Sequence, residues 1–301
     1  MAKIAVHGER DGGSAGPAAR VLAAGGGWSV SEVVCTFGPR DRPFEERHTG
    51  ASIALVAAGT FEYRSQAGRE LMTPGSLLLG SPGQCFECRH DHGAGDRCVA
   101  FSYSPEYLDR GGVAPVFRAL RVPPLREIAP LAARAAEGAG GAPGFCWEEL
   151  ALELAGRAGA LDRGLSLQPA GATPAAAARV ARLVRAMECE PDAPYDLDTL
   201  AREARLSPFH FLRLFRQVAG VTPHQHLLRR RLQRAAVRLA AERGKIVDIA
   251  LECGFGDVSH FNRTFRAEFG VSPRGWRRSG YASPERTSSA LGSGSRPMNR
   301  R

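Results

Sequence analysis

No run of the chain approaches the ~18 uninterrupted apolar residues that a membrane-spanning helix needs. The N-terminus, MAKIAVHGERDGG, lacks the apolar core of a signal peptide. These absences argue against an integral membrane protein and against secretion. Enzyme fingerprints are missing as well: there is no G-x-S-x-G elbow, no P-loop and no dinucleotide-binding glycine motif. Lysine is nearly absent, since only Lys3 and Lys245 among 40 basic residues are lysines. An Arg- and Ala-rich composition is also what a GC-rich genome writes, so charge alone is weak evidence. The seven cysteines are odd in number and scattered. A disulfide framework is therefore not expected, and a reducing compartment, the cytoplasm, is.

What is present is enough for two domains. The 301 residues are 44% hydrophobic and 24% charged, the profile of a globular chain. The net charge of +9 is unevenly placed. Residues 1–174 hold 17 basic and 19 acidic residues, a net of −2. Residues 175–278 hold 19 and 11, a net of +8, and residues 279–301 hold 4 and 1, a net of +3. An acidic front and a basic back predict two domains, the second with a polyanionic partner.

The local texture agrees with that division and predicts an α+β protein. Residues 1–26 are Gly- and Ala-rich and read as poorly ordered. Residues 27–163 form the first domain. From Trp28 to His90, short strand-like pieces such as ASIALVAAGTFEYRS and QCFECRH are broken by Gly and Pro. Close, even spacing of such pieces predicts a small antiparallel barrel or sandwich. Segments 125–137 and 145–162 read as helices that cap the barrel or pair with a second chain in a homodimer. Residues 164–174 read as a linker, residues 175–278 as an all-helical domain, and the Ser/Gly/Arg-rich residues 279–301 as a disordered tail.

The helical domain contains one unit twice. Asp196 or Asp198 can cap a short helix ending near Ala204. Ser207 caps a second helix with Pro208 at its first position, and Gly220 closes it. Two short helices in this arrangement are a helix-turn-helix. A longer helix follows from Pro223 to about Arg243. Then Ile246–Cys253, Gly254 and the cap Asp257 repeat the layout. Segments FLRLFRQVAGVTP (211–223) and FNRTFRAEFGVSP (261–273) align without a gap.

In the first copy, Phe211, Leu214, Phe215 and Val218 share the core face. Phe209, His210, Leu212, Arg213 and Arg216 lie elsewhere. The second copy buries Phe261, Phe265 and Phe269, and leaves Val258, Ser259, His260, Asn262, Arg263 and Arg266. A helix fits the major groove of B-DNA, where Arg suits guanine and Asn suits adenine. Arg213 and Arg263 occupy equivalent places and are the natural base readers of the two copies.

The second copy carries Gly254-Phe255-Gly256-Asp257-Val258-Ser259-His260-Phe261-Asn262-Arg263-Thr264-Phe265-Arg266, then Gly270-Val271-Ser272-Pro273 and Trp276-Arg277. This resembles the DNA-binding signature of the AraC/XylS family of bacterial transcription regulators over the C-terminal ~100 residues. One departure is His226, where relatives usually carry Tyr or Phe. The resemblance implies seven helices, with two helix-turn-helices entering adjacent major grooves of double-stranded DNA. It also implies base readers near Phe209, Leu212 and Arg213, and at Val258, Ser259, Asn262 and Arg263. Residues 59–64 and Pro74–Leu79 resemble, more loosely, the family's cupin-like sensor barrel. That implies a small effector or a dimer interface, and RNA polymerase as a partner if the protein is an activator.

Residues 85–98 read CFECRHDHGAGDRC and concentrate metal-ligand types: Cys85, Cys88, His90, His92 and Cys98. Cysteine and imidazole suit zinc or another thiophilic metal, and Cys-x2-Cys is a common half-site. His48, on an earlier strand, is a further candidate. On a strand, Cys88, His90 and His92 share one face and Cys85 the other. The alternative is that the cysteines fill the core and the histidines lie on a polar turn. Cys35, Cys146, Cys189 and Cys253 read as structural. Two further classes compete with a regulator: a metal- or cysteine-dependent enzyme fused to a DNA-binding domain, and an architectural DNA binder.

Overall fold

The computed structural model describes residues 17–41, 43, 45–90, 95–141, 145–165 and 173–280. The N-terminal part begins with strands β1 (Pro17–Gly25), β2 (Trp28–Cys35), β3 (Glu45–Arg47), β4 (Ala51–Ala58) and β5 (Phe61–Ser65). Strands β6 (Gly68–Met72), β7 (Leu77–Gly80), β8 (Cys85–Arg89) and β9 (Asp96–Tyr103) follow. Helix α1 (Pro105–Arg110), the short β10 (Arg121–Val122), α2 (Ala129–Ala139) and α3 (Trp147–Gly164) complete it. Residues 17–25, expected to be irregular, form an outer strand, because β1 pairs with β2 along its length and gains a ladder of backbone hydrogen bonds.

The strands form two sheets rather than one closed barrel. The larger has the order β1-β2-β9-β4-β7-β10 and the smaller β3-β8-β5-β6. Closure needs the edge strands to pair, and no described ladder joins β1 to β10 or β3 to β6. Of the two architectures that the strand spacing predicts, barrel or sandwich, the described ladders form two sheets with no closed barrel.

Side-chain alternation along each strand builds two separate cores. Ile53, Leu55, Leu77, Leu79, Val99 and Phe101 face the helices and meet Leu131, Leu150 and Leu154. Their neighbours Ala54, Val56, Leu78, Cys98 and Ala100 face the smaller sheet and meet Phe61, Tyr63 and Met72. The Tyr103 hydroxyl donates to the Ala151 carbonyl at 2.8 Å, which pins α3 to the sheet.

The C-terminal part is all helical: α4 (Pro174–Cys189), α5 (Leu197–Glu203), α6 (Pro208–Ala219), α7 (Pro223–Ala241), α8 (Ile246–Glu252), α9 (Val258–Phe269) and α10 (Pro273–Gly280). Asp196, not Asp198, caps α5, accepting from the Thr199 backbone N–H at 2.8 Å. The α5–α6 unit packs with α4 around Phe211, Phe215 and Met187. The α8–α9 unit packs with α7 and α10 around Phe261, Phe265, Phe269 and Trp276. The Trp276 indole donates to the Ala236 carbonyl at 3.0 Å and anchors α10 to α7.

Helix α2 faces two ways. Its Leu131, Ala132 and Ala135 pack on the larger sheet, while Ala129 and Ala133 join the core of the second helical unit. The side of α2 turned from the sheet thus packs against the same chain's helical domain. The Arg229 guanidinium donates to the Pro124 carbonyl beside it. Leu71 of β6 reaches the core of the first unit.

Candidate nucleic-acid interface

The two copies match in backbone as well as sequence. Ser207 Oγ accepts from the His210 backbone N–H to start α6. Asp257 accepts from the N–H groups of Ser259 and His260, each at 2.9 Å, to start α9. These hydrogen bonds hold the exposed Asp257 carboxyl below its usual range. Both helices stop on a glycine in the left-handed region, Gly220 (φ 81°) and Gly270 (φ 78°). A side chain at Gly220 would also collide with Pro123 of the N-terminal part.

Periodicity sorts the side chains of each helix. Phe211, Phe215 and Val218 are buried in α6, and Phe261, Phe265 and Phe269 in α9. The first-copy candidates Phe209, His210, Arg213 and Arg216 are exposed, with Leu212 half-buried. In the second copy Ser259, His260, Asn262, Arg263 and Arg266 are exposed, with Val258 half-buried. Leu214, expected in the core, is half-buried at its margin. Phe209 is 74% exposed, a large apolar ring in water at the start of α6.

The arginines divide into two populations. Those of α7 are used inside the protein. Arg229 pairs with Glu268 at 3.2 Å, Arg230 with Glu188 at 3.0 Å and Arg234 with Asp192 at 3.2 Å. Arg238 holds Glu242 and Glu252, and Arg231 donates to the carbonyls of Pro191 and Ala193. These contacts brace the long helix against both units. Arg213, Arg216, Arg263 and Arg266 have no ion pair with a described residue. They stand in water at matched positions of two helices, as groups that meet phosphates or base edges must.

His226 lies buried at the start of α7, 6.0 Å from the Phe215 ring. Burial, helped by the charges of Arg230 and Arg229, lowers its pKa to about 4. The unfolded imidazole takes up a proton below ~6.5, but the folded one only near 4, so stability is lost as pH falls through that window. A His226→Phe variant keeps a ring there without the titration. Relative to it, the natural protein should lose on the order of 3 kcal/mol between pH 6.5 and 4. Urea unfolding of both proteins across that range measures the difference; a difference independent of pH would refute it.

The cysteine–histidine candidates split. Cys88 pairs in register with Tyr63 and faces the space between the sheets, whereas Cys85 lies opposite Arg47 with its side chain on the other face. Cys85 is therefore removed from the candidate cluster, and His92 lies outside the described residues. His48 sits elsewhere: it stacks on Phe86 and shares a 2.9 Å hydrogen bond with the Tyr63 hydroxyl. Burial lowers its pKa to about 4. His90 instead meets Cys35 and Asp96, all three buried with ligand atoms within 4.8 Å of one another. Burial would lower the His90 pKa, but hydrogen bonds with Asp96 and Cys35 raise it to about 9. Burial, with the Asp96 charge, pushes the thiols of Cys88 and Cys98 up. Cys35, which the sequence alone reads as structural, and Asp96, which carries no ligand signal there, join the group only through the fold. Cys146 and Cys189, also read as structural, are exposed, and Cys253 is buried.

Comparison with known proteins identifies the helical part. A family described as "Helix-turn-helix domain" matches residues 200–279. The HTH-type transcriptional regulator MtrA of Neisseria gonorrhoeae is 28% identical over 102 residues, 34% of this chain and 34% of that protein. The HTH-type transcriptional activator RhaS of Escherichia coli O139:H28 is 42% identical over 77 residues, 26% of this chain and 28% of that protein. A transcriptional regulator with an AraC-type DNA-binding domain from Chromobacterium violaceum, known from a crystal structure, is 32% identical. Its match covers 35% of this chain and 94% of that one, with a TM-score of 0.33. Residues 200–279 thus match a helix-turn-helix domain family, and the likeness to transcriptional regulators is confined to this helical part. The matched stretch spans about a third or less of the two curated relatives. Among the described residues, no helix is long and apolar enough to cross a membrane.

Proposed function

We propose that this protein is a sequence-specific transcription regulator. Helices α6 and α9 enter two adjacent major grooves on one face of double-stranded DNA, and the N-terminal sheets form the effector-responsive part. The observation that carries the reading is the division of the arginines. Those on α7 are consumed as braces, while Arg213 and Arg263, with Arg216 and Arg266, are left in water at equivalent places. Phe209, Leu212, Val258, Ser259 and Asn262 complete the two reading faces, and His210 and His260 sit at matched positions beside them.

The two-faced helix α2 supplies a route between the parts. A shift of the sheet under Leu131 and Ala135 would move Ala129 and Ala133 against the core that seats α9. An effector alters DNA binding only if it prefers one of two such packings. Residues 27–163, 164–174 and 175–278 are the sensor, linker and DNA-binding segments of this reading. It assigns the chain to the cytoplasm and gives it no catalytic step.

The test uses the full chain and the DNA upstream of its own gene. Binding should fall by about 10³-fold or more between ~50 and ~200 mM salt, as neutralised phosphates release counterions. Footprinting should show two protected major-groove segments about one helical turn, ~34 Å, apart. Equal affinity for that fragment and unrelated DNA at every salt concentration would remove the claim of sequence specificity.

A further inference from the structure

The strand ladder brings four metal-ligating groups to one end of the space between the sheets. Cys35 closes β2 and lies directly across the ladder from Asp96, the first residue of β9. Opposed residues present their side chains on the same face, and so do residues two apart on one strand. Cys35, Asp96 and Cys98 therefore project together. His90, the residue after β8, comes from the facing sheet. Its Nε2 is 2.5 Å from one Asp96 oxygen, and the Cys98 sulfur is 3.8 Å from the other. All four residues are at most 8% exposed. The rings of Phe61 and Phe37, 5.9 and 6.3 Å from the His90 ring, flank the group.

We propose that Cys35, His90, Asp96 and Cys98 form a four-coordinate site for a thiophilic divalent cation, with zinc the ion best suited to it. Two sulfurs, an imidazole nitrogen and a carboxylate are the donor types that tetrahedral zinc accepts. With Zn–S near 2.3 Å and Zn–O near 2.1 Å, tetrahedral geometry sets neighbouring sulfur and oxygen ligands about 3.6 Å apart. The Cys98–Asp96 separation of 3.8 Å is close to that value, and the Cys35, His90 and Asp96 ligand atoms converge within 4.8 Å, with Cys98 beside them through Asp96. The 2.5 Å His90–Asp96 contact is a hydrogen bond, and an ion would spread that pair to about 3.4 Å apart. The carboxylate, imidazole and thiols already meet one another by hydrogen bonds in this desolvated pocket, and a cation would replace those bonds with one shared partner. The ion would tie β2, β9 and the end of β8 together, and so staple the two sheets, which no ladder among the described residues joins.

The experiment uses the untagged full chain, purified without chelator and titrated with Co²⁺. Elemental analysis of the purified protein should give about one zinc per chain. Cobalt should saturate at one equivalent, with the intense visible bands of a tetrahedral ion and a thiolate-to-cobalt charge-transfer band that zinc abolishes. Cys98→Ser and His90→Gln should each weaken cobalt binding by more than ~100-fold, since outer-sphere changes alone cost 10–100-fold. Cys85→Ser should leave it unchanged. Circular dichroism establishes which variants fold, and the behaviour of the natural chain and of Cys85→Ser decides the question if Cys98→Ser does not. Absence of saturable uptake by the natural chain would overturn the proposal. So would an unchanged affinity in a folded Cys98→Ser variant, or a loss in Cys85→Ser as large as that in Cys98→Ser.

Discussion

Replacing Phe265 by alanine should destabilise the second helix-turn-helix by ~3–5 kcal/mol, the range for truncating a buried aromatic. The ring is fully buried, with centroids 5.4 Å from Phe261, 4.5 Å from Phe269 and 6.1 Å from Trp276. Aromatic pairs at such distances attract beyond simple area burial, so one truncation loosens three contacts. The cavity would open beneath α9 and behind α10, whose Trp276 indole is fixed to the Ala236 carbonyl. Collapse is hindered because Ala236 and Leu239 of α7 are themselves buried in the same core. Phe209→Ala is the matched control. That ring is 74% exposed, so its loss should change stability by less than ~0.5 kcal/mol while weakening DNA binding. Guanidinium unfolding followed by circular dichroism measures both. Comparable destabilisation by the two substitutions would show that burial does not govern the difference.

Alanine at Arg213 or Arg263 should cost ~1–3 kcal/mol each at the cognate operator, with little change in fold stability. Both guanidiniums are exposed and make no ion pair with a described residue, so removing them breaks no internal brace. The two residues lie on separate helices with separate cores, and their effects should add. The double variant should therefore lose ~2–6 kcal/mol, roughly 30-fold to 10⁴-fold in affinity. Nonspecific binding should fall far less, and base preference should relax at one position in each half-site. Competition assays with operator variants at fixed salt make the measurement. If specific and nonspecific affinity fall together, the two residues are phosphate clamps and base reading lies with their neighbours. Arg230→Ala should behave oppositely. It breaks the 3.0 Å pair with Glu188, whose side chain is only 8% exposed, and its cost should appear in unfolding before DNA binding.

The sequence by itself determined the parts of this protein that depend on neighbours a few residues apart. The capped start of α6 at Ser207 and of α9 at Asp257, their glycine ends and the Phe spacing along each are local, and each repeats after 50 residues. Helical periodicity then separates Arg213 and Arg263 from Phe211 and Phe261 without further information. Three matters needed the tertiary structure. The arginines of α7 read alike in sequence, and only their meeting with Glu188, Asp192 and Glu268 makes them braces. A barrel and a pair of sheets share the same strand pattern and differ only in whether distant edges pair. The ligand types between residues 85 and 98 were visible, yet strand alternation turns Cys85 away, and the ladder brings in Cys35 from more than 50 residues earlier. Helix caps and periodicity are settled by interactions within a turn or two, whereas sheet register and ion pairing bring together residues that the chain sequence keeps far apart.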